Sequence, residues 1–436
     1  MEHSFFDELK SFMESGIYPL LGSTVVFLDP VRLLNESYSR FTISPSAYYS
    51  RRFDSNPNGD LVREGEAENL SESKKRKRKR KPKLSDLNER EREAEKRHQD
   101  ARPLLLRAHR ALLEASDLLG MLSKIIDNGS SSHCRRRADE VNFVELGKLW
   151  QAPLFEMSLC SRAPNNVDEG VEFDHCVERT VIPLFNNLIS NEANDDAEAK
   201  FQSSRYILPS RSCFQMSDLR QVRDLIPDKS NEGFNLIVID PPWENGSVHQ
   251  KAAYPTLPNK YFLYLPVKEL AHTEGALVAL WMTNREKLRI FVEKELFPAW
   301  GVTDAAIFYW MKVKPDGSLI CDLDSFHHRP YECLLLGYVN VNVDSECLAT
   351  HKCLRSIQVI VSVPGAHSRK PPLGKLLLEH IPGPKPAKCI ELFAREMVAG
   401  WTSWGNEPLH FQDSTYFLEK EGNIAPPGGI NSLGNN

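Results

Sequence analysis

The chain has 436 residues, 41% of them hydrophobic and 26% charged, the balance of a globular protein rather than a fibrous or disordered one. That length exceeds one ordinary core, so two or three domains are expected. The longest apolar runs, such as GALVALWM, are far too short to span a bilayer, and the net charge of −5 hides strongly segregated runs of each sign.

The opening MEHSFFDELK has no basic stretch leading into an apolar one, so no secretory leader is expected and the protein reads as intracellular. Residues 1–53 read as an N-terminal accessory segment. FFDELKSFMESGIYPLL carries apolar residues at helical spacing, and STVVFLDPVRLL reads as a strand followed by a turn or helix at Asp-Pro. Phe41, Tyr48, Tyr49 and Phe53 are expected to pack against something larger.

Residues 54–84 read as a disordered basic linker, too poor in apolar residues to order itself. Its run KKRKRKRKPK at 74–83 is single-signed, which suits a nuclear-import signal or a non-specific phosphate-binding tail. A nuclear location is therefore expected. Residues 85–200 read as a helical and mixed middle region, with Ser85 or Asp86 as N-cap and Pro103 starting a second helix or kinking a long one. The nine cysteines form no Cys-x-x-Cys pair and show no zinc-finger spacing, so reduced thiols and no metal are expected.

From 201 to 415 the character changes. Short apolar runs (FNLIVID, ALVALWMT, AAIFYWMKV, ECLLLGYV, IQVIVSV, KCIELFAR) alternate with helical stretches. That alternation predicts an α/β domain, a sheet covered by helices. Residues 416–436 read as a flexible tail.

The segment NLIVIDPPWENG at 235–246 carries the chemistry. A continuous apolar run predicts a central strand, and Asp240 stands at its carboxyl end, where open α/β sheets bind ligands. Pro241 and Pro242 fix the backbone and remove donors. A carboxylate and a neighbouring backbone carbonyl then form a rigid acceptor pair, with Trp243 offering a flat face. The pair suits the exocyclic amine of a nucleobase, whose two N–H groups it orients for attack on an activated methyl group. The alternative reading is a stiffened strand–turn with a core tryptophan.

DPPW followed downstream by SRKP, IELFAR and GNE resembles the eukaryotic adenine N6-methyltransferases of the mRNA-adenosine methyltransferase, seventy-kilodalton-subunit type. VVFLDPVRLL and DPPWENGSV resemble the methyltransferase-like-four subgroup. The resemblance covers about the last half of the chain. It implies a Rossmann-like S-adenosylmethionine-dependent domain, mostly parallel in its sheet, with an N-terminal mixed and helical accessory region. It implies catalysis by Asp240, Pro241, Pro242 and Trp243. Cofactor contacts are implied at Cys213, Phe214, Asp240, Lys370, Glu391, Arg395, Asn406 and Glu407. Lys370 would meet the cofactor carboxylate; Arg395, Asn406 and Glu407 the ribose and amino-acid region. Cys213 and Phe214 fall where the family brings an Asp to the adenine, and no Asp stands there in this chain. Met397 replaces a residue that is often polar in the family.

The long polar loop after the motif is expected to close over the target base, with Asn245, Ser247 and Tyr254 touching the nucleotide. Arg329, His367 and Arg369 are expected to hold phosphates. The resulting expectation is an RNA adenine N6-methyltransferase acting on 2′-O-methyladenosine in small nuclear RNA, with no obligate protein partner. DNA methylation, or a non-catalytic nucleic-acid-binding partner of a methyltransferase, are the alternatives.

Overall fold

The computed structural model describes residues 2–22, 24–50, 87–127, 141–161, 178–228, 232–244, 256–326, 328–341, 354, 358–366 and 369–420. The basic run, Asn245, Ser247, Tyr254 and His367 lie outside those residues.

Helix α1 (Glu2–Ser15) turns at Gly16, φ +70°, into the hairpin of β1 (Ile17–Leu21) and β2 (Val25–Leu28). The Asp29 carboxylate accepts from the N–H groups of Val31 and Arg32, and Pro30 takes the first helical position of α2 (Pro30–Asn35). Strand β3 (Phe41–Ile43) precedes α3 (Pro45–Tyr48), capped by Ser44. Helix α4 (Glu89–Glu114) begins at a reciprocal box of Asn88 and Glu91 rather than at Ser85 or Asp86, and it runs through Pro103. Helices α5 (Ser116–Asp127) and α6 (Phe143–Lys148) follow.

The remaining strands are β4 (Glu156–Ser161), β5 (Glu178–Pro183), β6 (Leu188–Asn191), β7 (Ala197–Phe201), β8 (Ser204–Leu208), β9 (Ser212–Met216), β10 (Leu236–Ile239), β11 (Ala276–Met282), β12 (Thr303–Lys312), β13 (Tyr331–Val339), β14 (Val359–Ser362), β15 (Cys389–Leu392), β16 (Trp401–Gly405) and β17 (Phe417–Glu419). An eleven-stranded sheet has the order β1-β2-β14-β12-β13-β11-β10-β15-β16-β9-β6. It is mostly parallel; β1, β13 and β6 run against their neighbours. Strands β5-β4-β7-β8 form a second, antiparallel sheet over its own core.

Alternation decides how the large sheet is buried. Ile237, Ile239, Val278, Leu280, Ile390 and Leu392 feed one face, while Leu236, Val238, Leu277, Trp281 and Cys389 feed the other. Both faces are covered, so the central strands read as unbroken apolar runs. Each large aliphatic side chain buried there contributes about 1.5–3 kcal/mol.

The boundaries expected at 53, 201 and 415 do not separate independent units. β2 pairs in parallel with β14, Val25 opposite Val359, so the N-terminal segment extends the large sheet. β6, within the expected middle region, pairs with β9 at the far edge. Residues expected in a flexible tail form β17 against β3, Phe417 opposite Ile43. The β2–β14 and β17–β3 pairings join segments hundreds of residues apart, and nothing local in the sequence announces them. Among the described residues no helix is long and apolar enough to cross a membrane, and no three His, Cys, Asp or Glu side chains are grouped to hold a metal ion.

Candidate active site

Asp240 follows the four fully buried residues of β10, and its N–H donates to the Leu392 carbonyl (3.3 Å) at the end of β15. Ile239 stands beside Leu392, the last residue of the parallel neighbour β15, and beside Leu280 of β11, which continues to Met282. Strand alternation turns the side chains of Asp240, Trp281 and Glu391 to one face of the sheet. There they line an open cleft together with Lys370, Phe393 and Arg395.

Four charges alternate along the strand ends. Lys370 Nζ lies 3.2 Å from Asp240 Oδ2 and 3.4 Å from Glu332 Oε2, and Glu332 Oε1 also pairs with Lys312 Nζ. Trp281 lies under Lys370 and Trp310 under Lys312, adding a face of negative potential beneath each cation. Burial pushes the Asp240 carboxyl above the usual range even with Lys370 beside it. Burial would raise Glu332 too, but Lys312 and Lys370 outweigh it and bring it down to about 2. Burial opposes the Lys370 charge, yet Asp240 and Glu332 hold it firmly protonated. Among the described residues no cation pairs with Glu391 in this way. Burial, then the neighbouring charges of Asp240 and Glu396, push it up to about 8.

The chain leaves β15 through Phe393, whose φ of +63° is unusual for a bulky residue. Its ring packs edge-on against Phe262 and Trp404, and this contact holds the turn in the conformation that brings Arg395 to the cleft. Arg395 Nε lies 3.1 Å from Glu407 Oε1, and its guanidinium stands over the Phe411 ring. Asn406 is exposed, at the carboxyl end of β16.

Several expected roles take a different form. Trp243 does not present a free face: it is 5% exposed, packs edge-on against Phe262, and donates from Nε1 to the Trp281 carbonyl (2.9 Å). The Pro241 carbonyl, expected in the acceptor pair, already accepts from the Trp243 N–H (2.8 Å), which leaves it one lone pair. Cys213 Sγ faces Thr402 Oγ1, and Phe214 is fully buried in the core of the second sheet. Both precede the carboxyl end of β9, which is Met216, so Ser217 and Asp218 occupy the ligand end instead. Met397 is also core. Arg329 pairs with Glu95 (2.6 Å) and the Ala94 carbonyl on α4, and Arg369 is enclosed by Glu396 and aromatic rings. Neither guanidinium offers a phosphate site.

Trp281, Glu332 and Lys312 were not singled out in the sequence. Trp281 was legible in principle, being on the Asp240 face at the end of β11. Glu332 and Lys312 gain their meaning only from the β12–β13 register, where Trp310 stands opposite Glu332.

A sequence profile of the MT-A70 family matches residues 234–407, from the residues before β10 to Glu407. The chain is 34% identical over 334 residues to the N(6)-adenine-specific methyltransferase METTL4 of Mus musculus, covering 74% of this chain and 68% of that protein. It is 31% identical over 226 residues to the N6-methyladenosine RNA methyltransferase MTA1 of Pyricularia oryzae, covering 50% of this chain and 58% of that protein. A DNA N6-methyl methyltransferase of Caenorhabditis elegans is 30% identical over 224 residues, covering 49% and 56%.

Proposed function

The chain belongs to the MT-A70 family of S-adenosylmethionine-dependent N6-adenine methyltransferases, in its METTL4 branch, and from that premise we propose that it methylates the N6 amine of adenine in RNA, with 2′-O-methyladenosine of small nuclear RNA as the target and the nucleus as its place of action. The observation that carries the reading is Asp240: a carboxylate at the end of a central strand, 3.2 Å from Lys370, opening into the same cleft as Glu391 and Arg395.

The cleft fits the cofactor. It combines a lysine for a carboxylate, an acid at Glu391 for a positive centre, and the aromatic residues Trp401 and Phe411 for a flat ring. Lys370, Glu391 and Arg395 would hold it, with Asn406 and Glu407 at the strand end toward the ribose. When bound, S-adenosylmethionine supplies a methyl group activated by positive sulfur.

The chain's own contribution is orientation and proton management. Asp240 Oδ accepts an N–H of the target amine, and the remaining lone pair of the Pro241 carbonyl suits the other N–H. Two acceptors on one amine draw its lone pair out of conjugation with the ring. Burial has already raised the Asp240 pKa, so its carboxylate is a better acceptor for the amine's departing proton than an exposed aspartate. Lys370, held by Glu332, fixes the carboxylate's direction.

The RNA assignment rests on the MTA1 relative and on the subgroup resemblance. A matched set of RNA and DNA oligonucleotides, with and without ribose 2′-O-methylation, tests it by mass-spectrometric detection of the N6-methylated nucleoside. Preferred product from the 2′-O-methylated RNA supports the reading; preferred product from DNA transfers the assignment to DNA adenine.

A further inference from the structure

Arg369 precedes Lys370 and is 3% exposed. Its guanidinium engages both Glu396 oxygens, through Nε to Oε2 at 2.9 Å and through Nη2 to Oε1. The guanidinium carbon lies 4.3 Å from the ring centroids of both Tyr48 and Phe411. Tyr48 belongs to α3, more than three hundred residues upstream. Its carbonyl accepts from the Ala366 N–H (3.3 Å), and the Arg369 N–H donates to the Ala366 carbonyl (3.0 Å). A side chain at Gly365 would meet the Tyr48 ring at 3.0 Å, so Gly365 and Ala366 lie directly on that tyrosine. Leu34 of α2 lines the cleft itself.

We propose that Tyr48 and Arg369 are positioning residues for Lys370, and that the N-terminal segment is thereby a working part of the cofactor cleft. Lys370 is a flexible side chain on a connecting loop, and its amine must stand between Asp240 and Glu332. The Arg369 clamp fixes the backbone from which Lys370 projects. Glu396, which the clamp ties down, follows Arg395, so one buried ion pair joins the Lys370 segment to the Arg395 segment of the cleft lining. An arginine is required because its planar fork meets both carboxylate oxygens while its faces meet rings; lysine does neither. Tyr48 contributes its ring rather than its hydroxyl.

The proposal rests on the reading of this cleft as the S-adenosylmethionine site. In the full chain, S-adenosylhomocysteine affinity is measured by titration calorimetry for wild type, Arg369→Lys, Tyr48→Leu and Tyr48→Phe, with thermal unfolding recorded for each. Arg369→Lys and Tyr48→Leu are expected to weaken binding about tenfold or more, as loss of a residue that orients a ligand-binding group does. Tyr48→Phe restores wild-type affinity. In turnover, the two disruptive variants raise the cofactor KM by more than they lower kcat. Wild-type affinity in folded Arg369→Lys and Tyr48→Leu overturns the proposal and leaves the cleft assignment standing. No binding by wild type removes the cleft assignment and the proposal with it. Should Tyr48→Leu not fold, Arg369→Lys decides alone.

Discussion

Lys370 reaches across the cleft to Asp240, with 3.2 Å between Nζ and Oδ2, and the same ammonium holds Glu332 at 3.4 Å. One cation therefore organises two carboxylates that would otherwise repel. Lys370→Met leaves Asp240 without its cation in a half-buried site while Glu332 keeps Lys312, and breaking such an arrangement from one side costs about 3 kcal/mol of stability. Urea unfolding of the cofactor-free protein measures this. Lys370→Arg, which keeps the charge, is expected to recover most of the stability but not the affinity for the cofactor.

Glu391 gives the cofactor-free protein a pH signature. Its folded-state pKa is raised from 4.5 to about 8, so the folded state holds this proton more tightly than the unfolded chain. The contribution to stability is fully present below about pH 4.5 and is lost as pH rises through 8. Glu391→Gln removes the dependence. Denaturation at pH 5.5 and 8.5 is expected to show the variant gaining on wild type at the higher pH, by at most roughly 4 kcal/mol. A positively charged ligand beside Glu391 favours its ionised form, so S-adenosylmethionine binding releases protons near neutral pH, measurable as buffer-dependent heat.

Trp243 acts through packing. Trp243→Phe keeps the edge contact with Phe262 and loses the hydrogen bond to the Trp281 carbonyl. The expected cost is about 1–3 kcal/mol of stability, with substrate KM changed by less than about threefold because no face is lost to the substrate. Thermal unfolding and steady-state kinetics on one preparation separate the two effects.

Arg329 anchors α4 through Glu95. Arg329→Ala is expected to lower the unfolding midpoint and to leave the salt dependence of nucleic-acid binding unchanged, since a lost phosphate contact would reduce that slope by about one. Fluorescence anisotropy across a salt series reads it.

Much of the catalytic half was legible because local pattern and tertiary role coincide. LIVI before Asp240 is a buried central strand, and a carboxylate at its end must lie at the ligand edge of the sheet. CIEL placed Glu391 by the same logic. The packing and pairing of Trp243, Cys213, Arg329 and Arg369 are not legible in the sequence, because they depend on partners outside the local motif. An arginine in SRKP looks like a phosphate ligand until Tyr48 and Glu396 surround it. Cys213 looked like a ligand contact until the strand was seen to continue to Met216. The β2–β14 pairing that brings Leu34 and Tyr48 to the cleft has no local trace at all, since VVFL reads as a strand without naming its neighbour.

The role proposed for the Asp240 carboxylate is to orient an adenine amine for methyl transfer. Asp240→Asn keeps the shape but replaces an acceptor oxygen with a donor. Single-turnover transfer of labelled methyl to an adenine-containing RNA is expected to fall by at least about a hundredfold, as loss of one preorganised electrostatic group does, while S-adenosylhomocysteine still binds. Methyl transfer by Asp240→Asn at the wild-type rate, with the cofactor bound equally well, would contradict the account.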